Sequence, residues 1–290
     1  MANLKAIKTK IKSTGNLKKI SRALEIISTI KLQKNKHKVE SAKQYFLDLS
    51  RLIAEVSEKI NLFETVEASS SKKDLAIVVT SEKGLCGGLN SRVTKLLTTN
   101  YSPATTDVFV IGKKGYEFCK RMGYNIVAYI NLKDEIHQSD ITPLLVFLEE
   151  KAKDYANIDI LFNFFNNLLT QITSSFRLSP LSKENINNFL TTVGVKFDIT
   201  ENNQKGFNLL EPTSEAVKSE LHRQVRTYLI TSMILQNKIA EHAGRMIAMK
   251  NAKDNCTKFI AALTLQFNKI RQANITREIS EITAAKIAME

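Results

Sequence analysis

Along the last quarter of the chain, apolar residues recur in alternating steps of three and four. The series runs Val225, Tyr228, Ser232, Leu235, Ile239, His242, Met246, Met249, Lys253, Cys256, Ile260, Leu263, Phe267 and Ile270. Spacing of this kind, sustained over several heptads, predicts a coiled-coil seam on one long helix. Residues 213–290 hold no proline and one glycine, Gly244, so little interrupts the helix, and Pro212 suits its first turn. At about 1.5 Å per residue it would approach ~115 Å, far beyond the diameter of a compact domain. The front of the chain shows a less regular stripe: Leu4, Ile7, Ile11, then Ile20, Leu24, Ile27, Ile30, and later Phe46, Leu49, Leu52, Ile53, Val56 and Ile60. A helix over residues 3–60 is predicted, about 85 Å long, with Thr14-Gly15-Asn16 as the candidate kink.

Between these ends the period changes. All four prolines lie between 103 and 212, and eight of the ten glycines lie between 84 and 206. Short β-rich runs at Leu75–Thr80, Val108–Ile111, Ile126–Ile130 and Ile158–Phe165 alternate with helical stretches at Ser91–Thr99, Gly115–Arg121 and Thr142–Tyr155. Such alternation predicts a mostly parallel sheet. Residues 170–208 are compatible with further strands. Three segments follow: 1–68 as an N-terminal coiled-coil helix, 69–211 as an α/β globular domain and 212–290 as a C-terminal coiled-coil helix. The insert joins the end of one helix to the start of the other, so the two helices must run antiparallel. The second is longer, so residues 269–290 are expected to project as a lone helix, which is unstable without a partner.

Composition narrows the classes further. Apolar residues make up 43% and charged ones 24%, which excludes wholesale disorder. No apolar run approaches the roughly 18 residues a membrane helix needs. The N-terminus lacks the apolar core of a signal peptide, because Glu25 and Ser28 interrupt the one candidate. Three widely spaced cysteines, Cys86, Cys119 and Cys256, point to a reducing compartment without a disulfide framework. Net charge is +13, and residues 1–45 alone carry twelve Lys or Arg against Glu25 and Glu40. That basic segment, including Lys31, Lys34, Lys36, Lys38 and Lys43, reads from the residues alone as a solvated face or as a surface for nucleic acid or anionic lipid. No aromatic residue precedes Tyr45, which disfavours a single-strand nucleic-acid binder, and no nucleic acid is expected.

Candidate chemistry is sparse. Gly84, Cys86, Gly87, Gly88 and Asn90 fall in one loop after a predicted strand. Glycines there would let backbone N–H groups approach an anion. The loop matches neither GxGxxG nor GxxxxGK[ST], so a tight turn is the simpler reading, with Asn90 as a helix cap. Cys86 has no histidine near it in sequence and reads as a small buried residue rather than a nucleophile. His37, His137, His222 and His242 show no metal spacing. No catalytic residue, cofactor or metal is assigned. An enzyme of Rossmann-like type with coiled-coil arms is the reading from another class; a basic coiled-coil nucleic-acid binder is a further one.

Three motifs, in order, resemble the gamma subunit of F-type ATP synthases over essentially the whole chain. They are Lys18-Lys19-Ile20-Ser21-Arg22-Ala23-Leu24-Glu25-Ile26, then Ser81-Glu82-Lys83-Gly84-Leu85-Cys86-Gly87-Gly88-Leu89-Asn90, then Arg245-Met246-Ile247-Ala248-Met249-Lys250 with Arg271-Gln272-Ala273-Asn274-Ile275-Thr276-Arg277-Glu278-Ile279. Leu24 stands where many relatives have Met. The resemblance implies a Rossmann-like α/β insert between helices paired as an antiparallel coiled coil, acting as a central rotor shaft without bond chemistry of its own. It implies as partners a hexamer of three alpha and three beta subunits, an epsilon-type subunit and the membrane c-ring. It places contacts to catalytic-subunit loops at Leu24, Lys31, Lys34, Arg245, Gln272 and Thr276, and puts the chain at the cytoplasmic face of the cell membrane as a peripheral part of the complex. The alternative within the family is the shaft of a dedicated hydrolytic motor not coupled to a proton channel.

Overall fold

The computed structural model describes residues 2–57, 73–134, 136–193 and 213–289. Helix α1 spans Ala2–Ser57 and helix α6 spans Ser214–Met289. Between them lie β1 (Asp74–Val79), α2 (Leu89–Asn100), β2 (Thr106–Ile111), α3 (Lys113–Arg121), β3 (Asn125–Ile130), α4 (Gln138–Lys151), β4 (Ile158–Phe165), β5 (Gln171–Ser179) and α5 (Lys183–Val193). The four predicted strands are found within two residues of their expected ends. Residues 58–72 and 194–212, with Pro212 and both segment boundaries near 68 and 211, lie outside the described residues. By its contacts the chain forms two compact units: Met1–Thr29 with Arg245–Glu290, and Ile30–Gly244.

The larger unit is built on a five-stranded sheet of order β3-β2-β1-β4-β5. β1 to β4 pair in parallel, and β5 closes one edge antiparallel to β4. Central strands β1 and β2 are buried almost end to end, as a sheet covered on both faces requires. One face packs Ala76, Val78, Val108, Val110 and Leu161 against Val93 and Leu97 of α2 and Cys119 of α3. From the other, Phe109 meets Phe147 of α4 at a ring separation of 5.2 Å.

One further strand appears within residues 170–208, a stretch compatible with one, and one helix departs from expectation. β5 is a strand that the polar run Gln171-Ile172-Thr173-Ser174-Ser175 does not advertise, because one side of an edge strand faces solvent and tolerates it. α4 begins four residues before Thr142. His137 and Asp140 form a capping box, the His137 backbone N–H donating to Asp140 Oδ2 at 2.9 Å, so the start lies upstream of Pro143.

Both long helices contribute to this unit. Asn237 Oδ1 of α6 accepts from the backbone N–H and the side-chain amide of Asn163 on β4, each at 3.0 Å. Tyr45 of α1 meets Tyr228 of α6 at 6.4 Å, while Lys31 of α1 and Lys238 of α6 share the field of Asp134. Ascending α1 therefore descends α6, and the pair is antiparallel. On α6 the expected seam residues Val225, Tyr228, Ser232, Leu235, Ile239 and His242 are all buried.

In the smaller unit, the expected α6 seam is also what the structure shows. Met249 and Leu263 are buried, Lys253, Cys256, Ile260, Phe267 and Ile270 are half-buried, and most residues between them are exposed. Residues 275–289 are exposed on all sides. The α1 stripe needs correction. Its inward positions are Ile7, Ile11, Thr14, Lys18, Ser21, Glu25 and Ser28, whereas Ile20 is 56% exposed and Ile27 47%. The heptad seam uses small and polar residues here. Ser21 and Ser28 let the facing helix come close, and Glu25 accepts an ion pair from Lys253 at 2.7 Å. Leu4, Ile7, Ile11, Leu24 and Leu49 of the expected stripe do lie inward, whereas Ile20, Ile27 and Ile30 are exposed. α1 also continues through Thr14-Gly15-Asn16 as unbroken helix.

Candidate functional site

The glycine loop Ser81–Asn90 leaves the C-terminal end of β1. Leu85 and Gly87 take left-handed backbone (φ 64° and 65°), the second at no steric cost. Asn90 does not cap α2, whose N-cap is Gly88. Asn90 Oδ1 instead accepts from the Ser81 backbone N–H at 3.1 Å, and its amide donates to Ser81 Oγ at 2.7 Å and to Cys86 Sγ at 3.4 Å. Ser81 Oγ donates to the Lys83 carbonyl at 2.7 Å. These side chains occupy the inside of the turn, where an anion cradle would need open N–H groups. The tight-turn reading is thus the one the geometry favours.

The loop's outer side docks on α6. Cys86, Leu89 and Ala240 form a small buried cluster with Phe165 against it. Gly244 faces the Cys86 carbonyl so closely that a Cβ there would stand 2.9 Å from its oxygen. The one glycine of α6 therefore has a packing reason that offsets its poor helix propensity.

The six expected contact residues fall in different surroundings. Leu24 is half-buried on α1. Lys31 forms an ion pair with Asp134, in the segment between β3 and α4. Lys34 is exposed one turn further on. Arg245 is buried, with 9% exposure, rather than displayed on the helix surface. Gln272 and Thr276 are exposed and share a face of α6 at i,i+4 spacing. The Thr276 hydroxyl donates to the Gln272 carbonyl at 3.0 Å, so toward a partner it offers mainly acceptor lone pairs. The structure joins Gln272 to Thr276 and Lys31 to Lys34 as neighbouring pairs.

Sequence reasoning missed Asp134 and the pair Lys238–Glu241, at 3.3 Å with 3% and 2% exposure. Lys31 and Asp134 are 103 residues apart, a separation at which no sequence pattern links two charges.

Elsewhere the described residues offer little catalytic chemistry. They contain no cluster of three or more His, Cys, Asp or Glu arranged to hold a metal. Burial pushes the Cys119 thiol up to about 12, which makes it a poor nucleophile. A cleft of about 720 Å³ contains Asp159. That carboxylate is held by Arg177 at 2.9 and 3.1 Å and by the Tyr101 hydroxyl at 2.8 Å. Burial, then Asp159 itself, raises the Tyr101 phenol, and the cluster reads as a structural brace.

Two long helices flanking a mostly parallel α/β sheet define the class of fold. Comparison with known proteins makes this specific. The ATP synthase family profile matches residues 3–289. The chain is 31% identical over 303 residues to the ATP synthase gamma chain of Xanthomonas campestris pv. campestris and 28% identical over 293 residues to that of Akkermansia muciniphila, covering the whole of both. Its fold is similar to a chain of the Euglena gracilis mitochondrial ATP synthase rotor, with a TM-score of 0.68 at 16% identity, covering 94% of this chain and 99% of that one. A chain of the Tetrahymena thermophila mitochondrial ATP synthase central stalk and c-ring gives 0.58 at 19% identity, covering 80% and 99%. The chain belongs to the ATP synthase family, among the gamma subunits of its F-type members. It is accordingly a non-catalytic part of that complex, in the peripheral F1 portion. None of its described helices is long and apolar enough to cross a membrane.

Proposed function

We infer that this chain is the central rotor shaft of an F-type ATP synthase, and that it couples rotation to the conformational cycle of catalytic subunits. The observation that carries this reading is the uncovered apolar surface of the helical unit. Leu17, Ile20, Ile26 and Ile27 on α1 and Ile275, Ile279, Ile282 and Ile287 on α6 are between 47% and 70% exposed. Large apolar side chains left open along a helix mark a surface for another protein, and a hexamer of alpha and beta subunits supplies the enclosure. One asymmetric shaft cannot touch three equivalent catalytic subunits alike, so each has its open–closed equilibrium biased differently. A bias of about 5.5 kcal/mol carries such an equilibrium from 1:99 to 99:1. Rotation passes the bias around the ring.

Functionally the chain divides into residues 1–68, 69–211 and 212–290. Leu24, Lys34, Gln272 and Thr276 are the contacts to catalytic-subunit loops, together with the 37% of the Lys31 side chain and the 9% of Arg245 left exposed. The α/β domain is the foot, held by an epsilon-type subunit and the c-ring, through which proton movement at the cytoplasmic face of the cell membrane drives the shaft. The dedicated hydrolytic motor is not favoured, because the gamma-chain likeness extends through the foot as well as the helices. Co-purification from native membranes tests this. Alpha and beta chains in threefold excess, with epsilon and c chains, are expected. A complex lacking c chains would restore the uncoupled motor, and one lacking alpha and beta would remove the shaft reading altogether.

A further inference from the structure

Asp134 is the point at which the α/β domain meets charges from three other elements. Its carboxylate takes an ion pair from Lys31 of α1. Lys238 of α6 and Lys83 of the glycine loop direct their positive charge at the same group. Lys238 is itself almost wholly buried and paired with Glu241, so its charge is largely answered within α6 and Lys31 is the group that bonds Asp134. Asp134 lies in the stretch leaving β3, at the edge of the sheet. It is therefore a carboxylate through which the β3 edge reaches α1.

We propose that Asp134 is a positioning residue for torque transfer, an ionic latch that clamps the β3 edge of the sheet to α1 so that foot and helix turn together. The idea rests on the shaft reading. Hydrophobic packing resists separation of domain and helices, but it is non-directional. On the β4 side of the sheet the Asn163–Asn237 hydrogen bonds already fix β4 to α6, and at the β3 edge the Lys31–Asp134 pair is the directional contact to α1. An ion pair between groups fixed on separate elements resists sideways displacement. Both partners of the Lys31–Asp134 pair are over one third exposed, at 37% and 38%, so salt should weaken the latch.

The test uses the assembled complex with a bead fixed to the α/β domain. Angular fluctuation of the bead is measured with the motor stalled, for wild type, Asp134→Asn and Asp134→Glu. In Asp134→Asn the variance should rise about twofold or more, the scale a partly exposed ion pair carries, while ATP turnover without load stays at the wild-type level. Asp134→Glu should restore stiffness. High salt should soften wild type and leave Asp134→Asn unchanged, which a merely structural role would not produce. Wild-type variance in Asp134→Asn overturns the latch and leaves the shaft reading intact. Should Asp134→Asn not assemble, the salt response of wild type decides, and a salt-independent variance overturns the latch. A wild-type complex that hydrolyses ATP without turning the bead removes the shaft reading and the latch with it.

Discussion

The sheet and the free end of α6 solve the burial problem in opposite ways. Every residue of β2 is buried, and each apolar side chain there has its partner inside the same chain. From residue 275 onward α6 is exposed on all sides although it carries Ile275, Ile279, Ile282 and Ile287. The first region is finished when the chain folds. The second is finished only in the presence of another protein. Apolar content alone does not separate a core from an interface; what separates them is whether the chain supplies the opposing surface.

Substitutions should divide along the same line. Phe109→Ala empties a position that is 1% exposed and packed at a tilt against Phe147, and should cost about 3–5 kcal/mol. Ile279→Ala, at 59% exposure, should change the isolated chain by no more than about 0.5 kcal/mol yet lower ATP turnover of the assembled hexamer. Urea denaturation followed by circular dichroism, with a turnover assay beside it, reads both. Equal stability losses at the two positions would erase the contrast.

The glycine loop sharpens the comparison at a smaller scale. Gly244→Leu forces a side chain onto the Cys86 carbonyl, 2.9 Å from where its Cβ would stand, and should cost about 1–3 kcal/mol. The same urea experiment serves. Loss of protease resistance in residues 81–90 should accompany it.

Acid should find the α/β domain through Asp107. Burial raises this carboxyl, but hydrogen bonds from Asn125, Lys73 and Tyr155 outweigh it and hold the group below its ordinary 3.8. A folded value below the unfolded one gives stability that is fully present above pH 3.8 and lost as pH falls through the folded value. Asp107→Asn should therefore flatten the acid limb of stability below about pH 4. An unchanged acid limb would remove the assignment. The smallest effect expected is chemical. Cys256, half-buried, should alkylate before Cys86 and Cys119, which are buried, as mass spectrometry of the native chain would record.

Much of this organisation was legible beforehand, for identifiable reasons. Breakers confined to the middle marked the long helices, and β-branched runs marked β1 to β4, because those signals are local. The α6 seam was legible because its heptads are mostly apolar. The α1 seam was legible in part: Leu4, Ile7, Ile11, Leu24 and Leu49 lie inward as expected, but its middle was not legible. Ser21, Glu25 and Ser28 face inward there, so hydrophobicity pointed at Ile20 and Ile27, which await a partner. Among the contact residues, Gln272 and Thr276 came from the family resemblance, and the structure puts both, exposed, on one face of α6. The sequence did not reveal that Lys31 is paired within the chain, that Arg245 is buried, or that Asp134 gathers charge from three elements, since these follow from tertiary packing.

Rotation is the central claim, and a single observation tests it most directly. The chain is assembled with alpha and beta subunits fixed to a surface, a bead is attached to the α/β domain, and ATP is added. Continuous turning in one direction, stopping when ATP is removed, is the predicted result. ATP turnover at the full rate with the bead stationary would contradict it.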